Sequence, residues 1–168
     1  MINKLITKKI LFFIIISSIH ISSLMIGQTV TNPITGKTWM DKNIGASQVA
    51  TSPTDFEAYG DLFQWGRDSD GHESRISQTV NTLSNSDYPN HSNFIIANTD
   101  WRFPPNDNLW QGSLSINNPC PAGFRLPTEE EFEEERLSWN SNDANGAFQS
   151  PLKLTLTGAR SRMSGQIG

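Results

Sequence analysis

The sequence predicts a single α+β domain with two short helices, a small antiparallel sheet and long loops. Its 168 residues suit one hydrophobic core, because two separate cores would need a longer chain. After the N-terminal segment, Asn, Ser, Thr, Asp and Gly are abundant, and their backbone preferences favour turns and loops. Helix-capping patterns occur at two places, and the strand-like apolar runs are all short.

The first helix is predicted to begin at Ser52. Ser52 suits the capping position, and Pro53 suits the first helical position because it has no N–H to leave unpaired. Three aromatic residues then follow at helical spacing: Phe56, Tyr59 and Phe63.

The second helix is predicted to begin after Pro127, with Thr128 as its cap. Glu131 stands three residues after Thr128 and completes a capping box, and the neighbouring glutamates meet the positive end of the helix dipole. Phe132 and Trp139 lie on one face and are predicted to pack inward. We therefore expect the acids to support the helix and not to form a catalytic carboxylate pair.

Four short segments have the composition of strands. Gly36–Gly45 is predicted to place Trp39 in the core, and Phe94–Asn98 is predicted to be a short buried strand. Residues 124–126 are expected to enter a strand. Over residues 152–157, leucines alternate with polar residues, which suits a strand with one buried face.

Residues 1–27 have the pattern of a secretory signal peptide, in which a basic start precedes the almost wholly apolar run Ile10–Ile26. We predict cleavage near Gly27–Gln28, which leaves residues 28–168 as a secreted or cell-surface domain with no stable membrane span. The alternative is an uncleaved N-terminal anchor, because a run of about 17 apolar or small residues is at the short end for a membrane span.

The charge balance excludes some classes of partner. The chain has 13 basic and 17 acidic residues, and the N-terminal segment contributes three lysines and no acid. The remainder therefore has 10 basic and 17 acidic residues, a net charge of −7. Because phosphate binding needs clustered Lys and Arg, we expect neither nucleic acid nor anionic membranes as partners. An acidic surface permits a cation site.

Acidic side chains that are close together in the sequence are candidate calcium ligands. Asp68, Asp70 and Glu73 offer carboxylate oxygens within one loop, with His72 beside them. The loop lacks the spacing of a helix–loop–helix calcium site, and its alternative is a solvated turn. Residues 141–146 form a second Asp/Asn loop with the same two alternatives. No other cofactor is expected.

A carbohydrate site is predicted where aromatic rings stand beside amides and a carboxylate. Trp101 and Trp110 offer the rings, and Asn106, Asp107 and Asn108 lie between them. The competing hypothesis is that the two tryptophans cover the core beneath a long loop, because large aromatic side chains dominate core packing.

Cys120 is the one cysteine of the chain, and it stands between two prolines. A nucleophilic thiol needs a neighbouring base or cation, and the sequence fixes none beside it. The alternatives are a small buried residue or half of a missing disulfide. The residues that could act as that base or cation are His72, His91 and Arg125.

Five motifs between Thr38 and Arg160 together resemble the Fibrobacter succinogenes major paralogous domain family. They are "TWMDKNIGA", "YGDLFQWGR", "NDNLWQG", "NNPCPAGFRLPTEEEFE" and "SPLKLTLTGAR". The resemblance implies an exported bacterial protein with a C-type-lectin-like fold. It also implies a distant similarity to the formylglycine-generating and sulfatase-modifying group, whose "RLPTEAEWE" signature is similar to "RLPTEEEFE" here.

The chain departs from the family pattern in two ways. Family members commonly continue past the "GAR" motif, so we expect this sequence to be truncated after Gly168. Many also carry a second cysteine, which is absent here. The resemblance implies a non-enzymatic module that binds a ligand, with polysaccharide or a surface protein as its partner, and no catalytic residue is expected. The alternatives are an enzyme of the sulfatase-modifying type that depends on Cys120, and a purely structural surface protein.

Overall fold

The computed structural model describes residues 29–168, and it begins with a short antiparallel pair of strands. Strand β1 (Thr29–Thr31) pairs with β2 (Thr38–Met40), with Val30 opposite Trp39. The turn between them closes through the N–H of Asn32, which donates to the carbonyl of Lys37 at 2.9 Å. The predicted strand around Trp39 is therefore present, although it is shorter than Gly36–Gly45. The predicted signal peptide lies outside the described residues.

A second pair of strands lies at the core. Strand β3 (Thr79–Val80) runs parallel to β4 (Phe94–Ile95), and both residues of β4 are buried. The Gln64 side chain completes the hydrogen bonding of β4, because its amide accepts from the N–H of Ile95 and donates to its carbonyl, both at 2.9 Å. A buried strand at Phe94 was predicted correctly. The parallel pairing was not, because the prediction allowed only antiparallel strands.

Helix α1 (Glu129–Leu137) has the predicted capping box. The hydroxyl of Thr128 accepts from the N–H of Glu131 at 3.2 Å, and the Glu131 carboxylate accepts from the N–H of Thr128 at 2.9 Å. Arg125 binds the same carboxylate through two hydrogen bonds of 2.7 Å each. The Arg125 hydrogen bonds, reinforced by the Thr128 N–H, lower the pKa of Glu131 to about 2.

The buried face of α1 differs from the prediction. Phe132 is 41 % exposed and meets Trp39 edge to face, with ring centroids 6.5 Å apart, and Trp139 is half-buried. The fully buried residue is Glu135, whose carboxylate accepts from the Asn32 side chain at 2.8 Å. A hydrogen-bonded acid thus joins α1 to the β1–β2 turn, where the sequence predicted an apolar contact.

Three predicted elements take other forms. The helix expected from Ser52 is one 3₁₀ turn (Phe56–Ala58) capped by Asp55, and Gly60 follows it at a φ of +68°. Residues 152–157 form no strand with any described residue, and Leu156 is 54 % exposed, so their alternation does not bury one face. Residues 124–126 form no strand either.

The second short helix of the fold lies where none was predicted. Helix α2 (Ala144–Gln149) is capped by Asp143, whose carboxylate accepts from the N–H of Gly146 at 2.8 Å. The prediction of a small mixed domain with two short helices and little sheet is confirmed in this coarse form. Among residues 29–168, no helix has the length and apolar character needed to cross a bilayer.

The apolar core is small and is extended by buried polar groups. Ile95, Trp101 and Leu109 pack together, with Val80 against them. Several polar side chains are just as deeply buried, and they must be hydrogen-bonded to offset their loss of water. The fully buried polar residues are Asn32, Arg67, His72, Asn117 and Glu135.

Candidate functional site

A buried arginine organises the loop that follows Gln64. The side chain of Arg67 has no exposed surface. Its Nε donates to Asp70 Oδ2 at 2.8 Å, and Nη1 donates to Gln64 Oε1 at 2.9 Å. The carbonyls of His91 and Asn93 accept two further hydrogen bonds at 2.6 and 2.8 Å. Asp70 supplies the negative charge that lets this cation remain buried.

His72 is buried beside the same carboxylate. Its Nε2 accepts the backbone N–H of Gln64 at 3.0 Å, so the neutral ring carries its proton on Nδ1. That proton faces Asp70 Oδ1 at 2.8 Å, and Glu73 Oε2 lies 3.3 Å from the same nitrogen. Burial, followed by the positive charge of Arg67, lowers the pKa of His72 from its ordinary 6.5.

Asp70, His72 and Glu73 bring three potential metal-ligand atoms within 4.8 Å of one another. Their hydrogen bonds do not fit an ion. A metal on His72 Nδ1 would move the proton to Nε2, where it would face the N–H of Gln64. Both oxygens of Asp70 already accept hydrogen bonds from Arg67 and His72. The cluster therefore has the chemistry of a structural hydrogen-bond network.

The other predicted calcium ligands form local turns. Asp68 lies outside the cluster, and its carboxylate accepts from the N–H of Ser69 at 2.8 Å. In the loop 141–146, Asp143 caps α2 and Asn145 accepts from Gln149 at 3.0 Å. These contacts support the turn alternative for Asp68 and for the loop 141–146.

The two tryptophans of the predicted carbohydrate site are buried. Trp101 is 5 % exposed, and its indole N–H donates to the carbonyl of Trp65 at 2.8 Å. Trp110 is 8 % exposed and packs against Phe63 and Trp65. Their ring faces belong to the core, as the competing hypothesis holds, and are not open to a ligand.

The exposed tryptophan in this region is Trp65, and Phe103 is an exposed ring as well. Trp65 is 62 % exposed and rests on Trp110, with ring centroids 5.0 Å apart. A Cβ added at the next residue, Gly66, would lie 4.0 Å from the carbonyl oxygen of Asn106, so the segment of predicted polar residues begins near Trp65. We call this set the Trp65 surface, and it consists of Trp65, Asn106, Asp107 and Asn108.

The polar members of the Trp65 surface differ in how firmly they are held. The Asn106 amide donates to Asp87 at 3.2 Å and accepts from the N–H of Asn108 at 3.2 Å, which fixes the loop. The side chains of Asp107 and Asn108 are exposed and have no hydrogen-bond partner among the described residues. An exposed ring and two exposed polar side chains with no partner among the described residues therefore lie on neighbouring segments.

Cys120 lines a cleft of about 670 Å³, here called the β2 cleft. Its other walls are Lys37 with β2, residues 42–44, residues 123–127, the start of α1, and Leu152 with Leu154. Burial raises the pKa of the Cys120 thiol above its ordinary 9.0. Among residues 29–168, no histidine lines the cleft, and Arg125 is held by Glu131. This environment opposes a nucleophilic thiol.

No protein-family model, curated protein or solved structure matches the chain. The resemblance drawn from the five motifs therefore stays a prediction, as does the C-type-lectin-like fold. Any function for the chain must rest on the geometry of its own surfaces.

Sequence reasoning missed Trp65, Gln64 and Arg67. The segment "QWGR" contains all three, and its one available signal is Gly66, which has a φ of +82°. That left-handed turn reverses the chain, so that Arg67 enters the core while Trp65 stays outside. The sequence shows the glycine, but its backbone angle depends on the tertiary contacts around it.

Proposed function

We propose that the chain is an exported, non-enzymatic module that binds polysaccharide through the Trp65 surface. The observation that carries this proposal is the exposed Trp65 ring, with the exposed side chains of Asp107 and Asn108 on the segment that begins near Gly66. A sugar ring presents an apolar C–H face, which an indole covers, and a rim of hydroxyls, which carboxylates and amides bind.

Two contacts of Trp65 with buried residues favour a preformed site. The Trp110 ring packs against the Trp65 ring, and the Trp65 carbonyl accepts from the indole N–H of Trp101. Because both partners are buried, the exposed ring loses little conformational entropy when a ligand binds. Asp107 would repel an anionic sugar, so a neutral polysaccharide is the ligand class that this surface favours.

The test is binding of the full chain to insoluble and soluble neutral polysaccharides, measured by pull-down and by affinity electrophoresis. We expect Trp65→Ala to reduce binding about tenfold or more, because stacking on an aromatic face contributes on the order of 1–3 kcal/mol. Phe56→Ala is the matched control, since Phe56 is 71 % exposed on a different element. Equal binding by Trp65→Ala and by the unmodified chain would contradict the proposal.

The two rivals make different predictions. An enzyme of the sulfatase-modifying type requires a cysteine-dependent activity, which Cys120→Ser would abolish. The raised pKa of Cys120 and the lack of an imidazole among the described residues that line its cleft give that rival no support. A purely structural surface protein would show no saturable binding to any polysaccharide, with or without Trp65→Ala.

A further inference from the structure

One edge of strand β2 has no partner among the described residues. The bond from the N–H of Asn32 to the carbonyl of Lys37 sets the hydrogen-bonding phase of the hairpin. Antiparallel pairs alternate, so Val30 and Trp39 form the next hydrogen-bonded pair, whereas Thr38 turns its N–H and C=O away from β1. The hydroxyl contact of 2.8 Å between Thr31 and Thr38 fits a pair of the non-hydrogen-bonded type.

The same phase applies to Met40, two residues further along β2. Within residues 29–168, the backbone N–H and C=O groups of Thr38 and Met40 make no hydrogen bond outside the hairpin. An unpaired edge of this kind can accept a strand from another chain. Its short length restricts the pairing to these two residues, which offer two donors and two acceptors.

The free edge faces the β2 cleft. Consecutive residues from Lys37 to Met40 all line the cleft, although neighbouring side chains of a strand point to opposite faces. This pattern arises when the edge itself, and not one face, borders the opening. Apolar side chains dominate the remaining walls, and they include Ile44, Phe124, Leu126, Phe132, Leu152 and Leu154.

Among the described residues that line the cleft, Lys42 is a cation without a carboxylate partner. Lys37 lies 3.1 Å from Glu134, and Arg125 is bound by Glu131. Lys42 lines the cleft, and no carboxylate of the described residues lies within 4 Å of it. Its Nζ donates only a long hydrogen bond of 3.5 Å to the carbonyl of Ser47, so its charge remains available for an anionic group of a ligand.

We propose that the β2 cleft binds an extended peptide segment of a partner protein, which adds a strand to the free edge of β2. The partner segment pairs with Thr38 and Met40, places alternate apolar side chains in the cleft, and carries a carboxylate that meets Lys42. Main-chain hydrogen bonds supply affinity in this mode of recognition, and the pockets for alternate side chains supply specificity. This site shares no residue with the Trp65 surface, so it stands independently of the proposed function.

The probe is a panel of capped octapeptides in which valine or leucine alternates with threonine, and one polar position holds Glu, Gln or Lys. Binding to the full chain is measured by calorimetry and by amide NMR. We expect the Glu peptides to bind best and the amide protons of Thr38 and Met40 to become protected from exchange. N-methylation of the peptide residues that face β2 removes their donors and should weaken binding about tenfold.

A charge reversal tests the role of Lys42. Lys42→Glu should weaken the Glu peptides about threefold, and the Lys peptides should recover the loss, as expected for an exposed ion pair. Trp65→Ala is the control and should bind the peptides unchanged. The proposal is overturned if no peptide of the panel binds the folded chain, if saturation leaves the Thr38 and Met40 amides unprotected, or if the N-methylated peptides bind equally well.

Discussion

The Oδ1 atom of Asp70 lies 2.8 Å from Nδ1 of His72, and the other oxygen of the same carboxylate binds the buried Arg67 at 2.8 Å. One carboxylate thus holds two groups that have no exposed surface. This loop was predicted as a calcium site or a solvated turn, and its carboxylate neutralises a buried cation instead.

Replacement of this carboxylate should destabilise the fold. Asp70→Asn has the same shape, but its single acceptor oxygen cannot bind both Arg67 and His72. Its amide N–H groups would instead face the N–H donor of one of these two residues. We expect a loss of about 3 kcal/mol in the free energy of unfolding, because Arg67 would be buried without a counter-charge. Urea denaturation measures it. Asp68→Asn is the control, and a similar loss in both variants would argue against the network.

The stability of the fold should fall in mild acid. The pKa of His72 is lowered in the folded chain from the ordinary 6.5, so only the unfolded chain takes up the proton just below that pH. The contribution of neutral His72 is therefore complete above about pH 6.5 and is lost as the pH falls through the folded pKa. Urea midpoints between pH 8 and pH 5 measure the decline.

A non-titrating variant separates His72 from the other groups. In His72→Asn, the side-chain amide can still donate to Asp70 but does not take up a proton. We expect this variant to be less stable at pH 8 and to show a flatter decline towards pH 5. His91→Asn should show the same decline of stability with falling pH as the unmodified chain. A flatter decline in that variant would show that His91, and not His72, causes the pH dependence.

The thiol of Cys120 should react slowly. Burial raises its pKa from the ordinary 9.0, and the thiolate is the reactive form. At pH 7, alkylation by iodoacetamide should be slower than that of free cysteine, and it should reach the free rate when the chain is unfolded in urea. Rapid alkylation of the folded chain at pH 7 would revive the hypothesis of a catalytic cysteine.

Gly146 should not tolerate alanine, although it lies inside helix α2. Alanine normally stabilises a helix interior by about 1 kcal/mol relative to glycine. Here the added Cβ would lie 1.8 Å from the carbonyl oxygen of Ser141, so the backbone would have to move. We expect a loss of about 2 kcal/mol by urea denaturation. Asn145→Ala, at an exposed position of the same helix, should change the stability by less than about 0.5 kcal/mol.

Local patterns predicted the elements whose causes are local. The capping box of α1 depends on Thr128 and Glu131 alone, and both its hydrogen bonds are present. The apolar segment at Phe94 is a buried strand, because the polar loops around it offer few other apolar residues for the core. The Ser52 helix failed because Asp55 caps a single turn and Gly60 ends it.

The binding role of the candidate residues stays a prediction. Asn106, Asp107 and Asn108 lie at the surface or near it, but the exposed tryptophan near their segment is Trp65. Spacing cannot show which tryptophan enters the core, because exposure depends on how the loop folds over it. The free edge of β2 was not predicted either. It depends on which residues of the hairpin pair by hydrogen bonds and on whether another strand among residues 29–168 lies beside β2.

By itself, the sequence determined the small mixed domain, the acid-capped helix, the lone cysteine and the acidic balance, because composition and short-range capping decide these. Only the tertiary structure decided which tryptophan is open, which carboxylate neutralises Arg67, and which strand edge borders a cleft. Each of these depends on contacts between residues far apart in the chain, and burial and hydrogen-bond partners are properties of that packing.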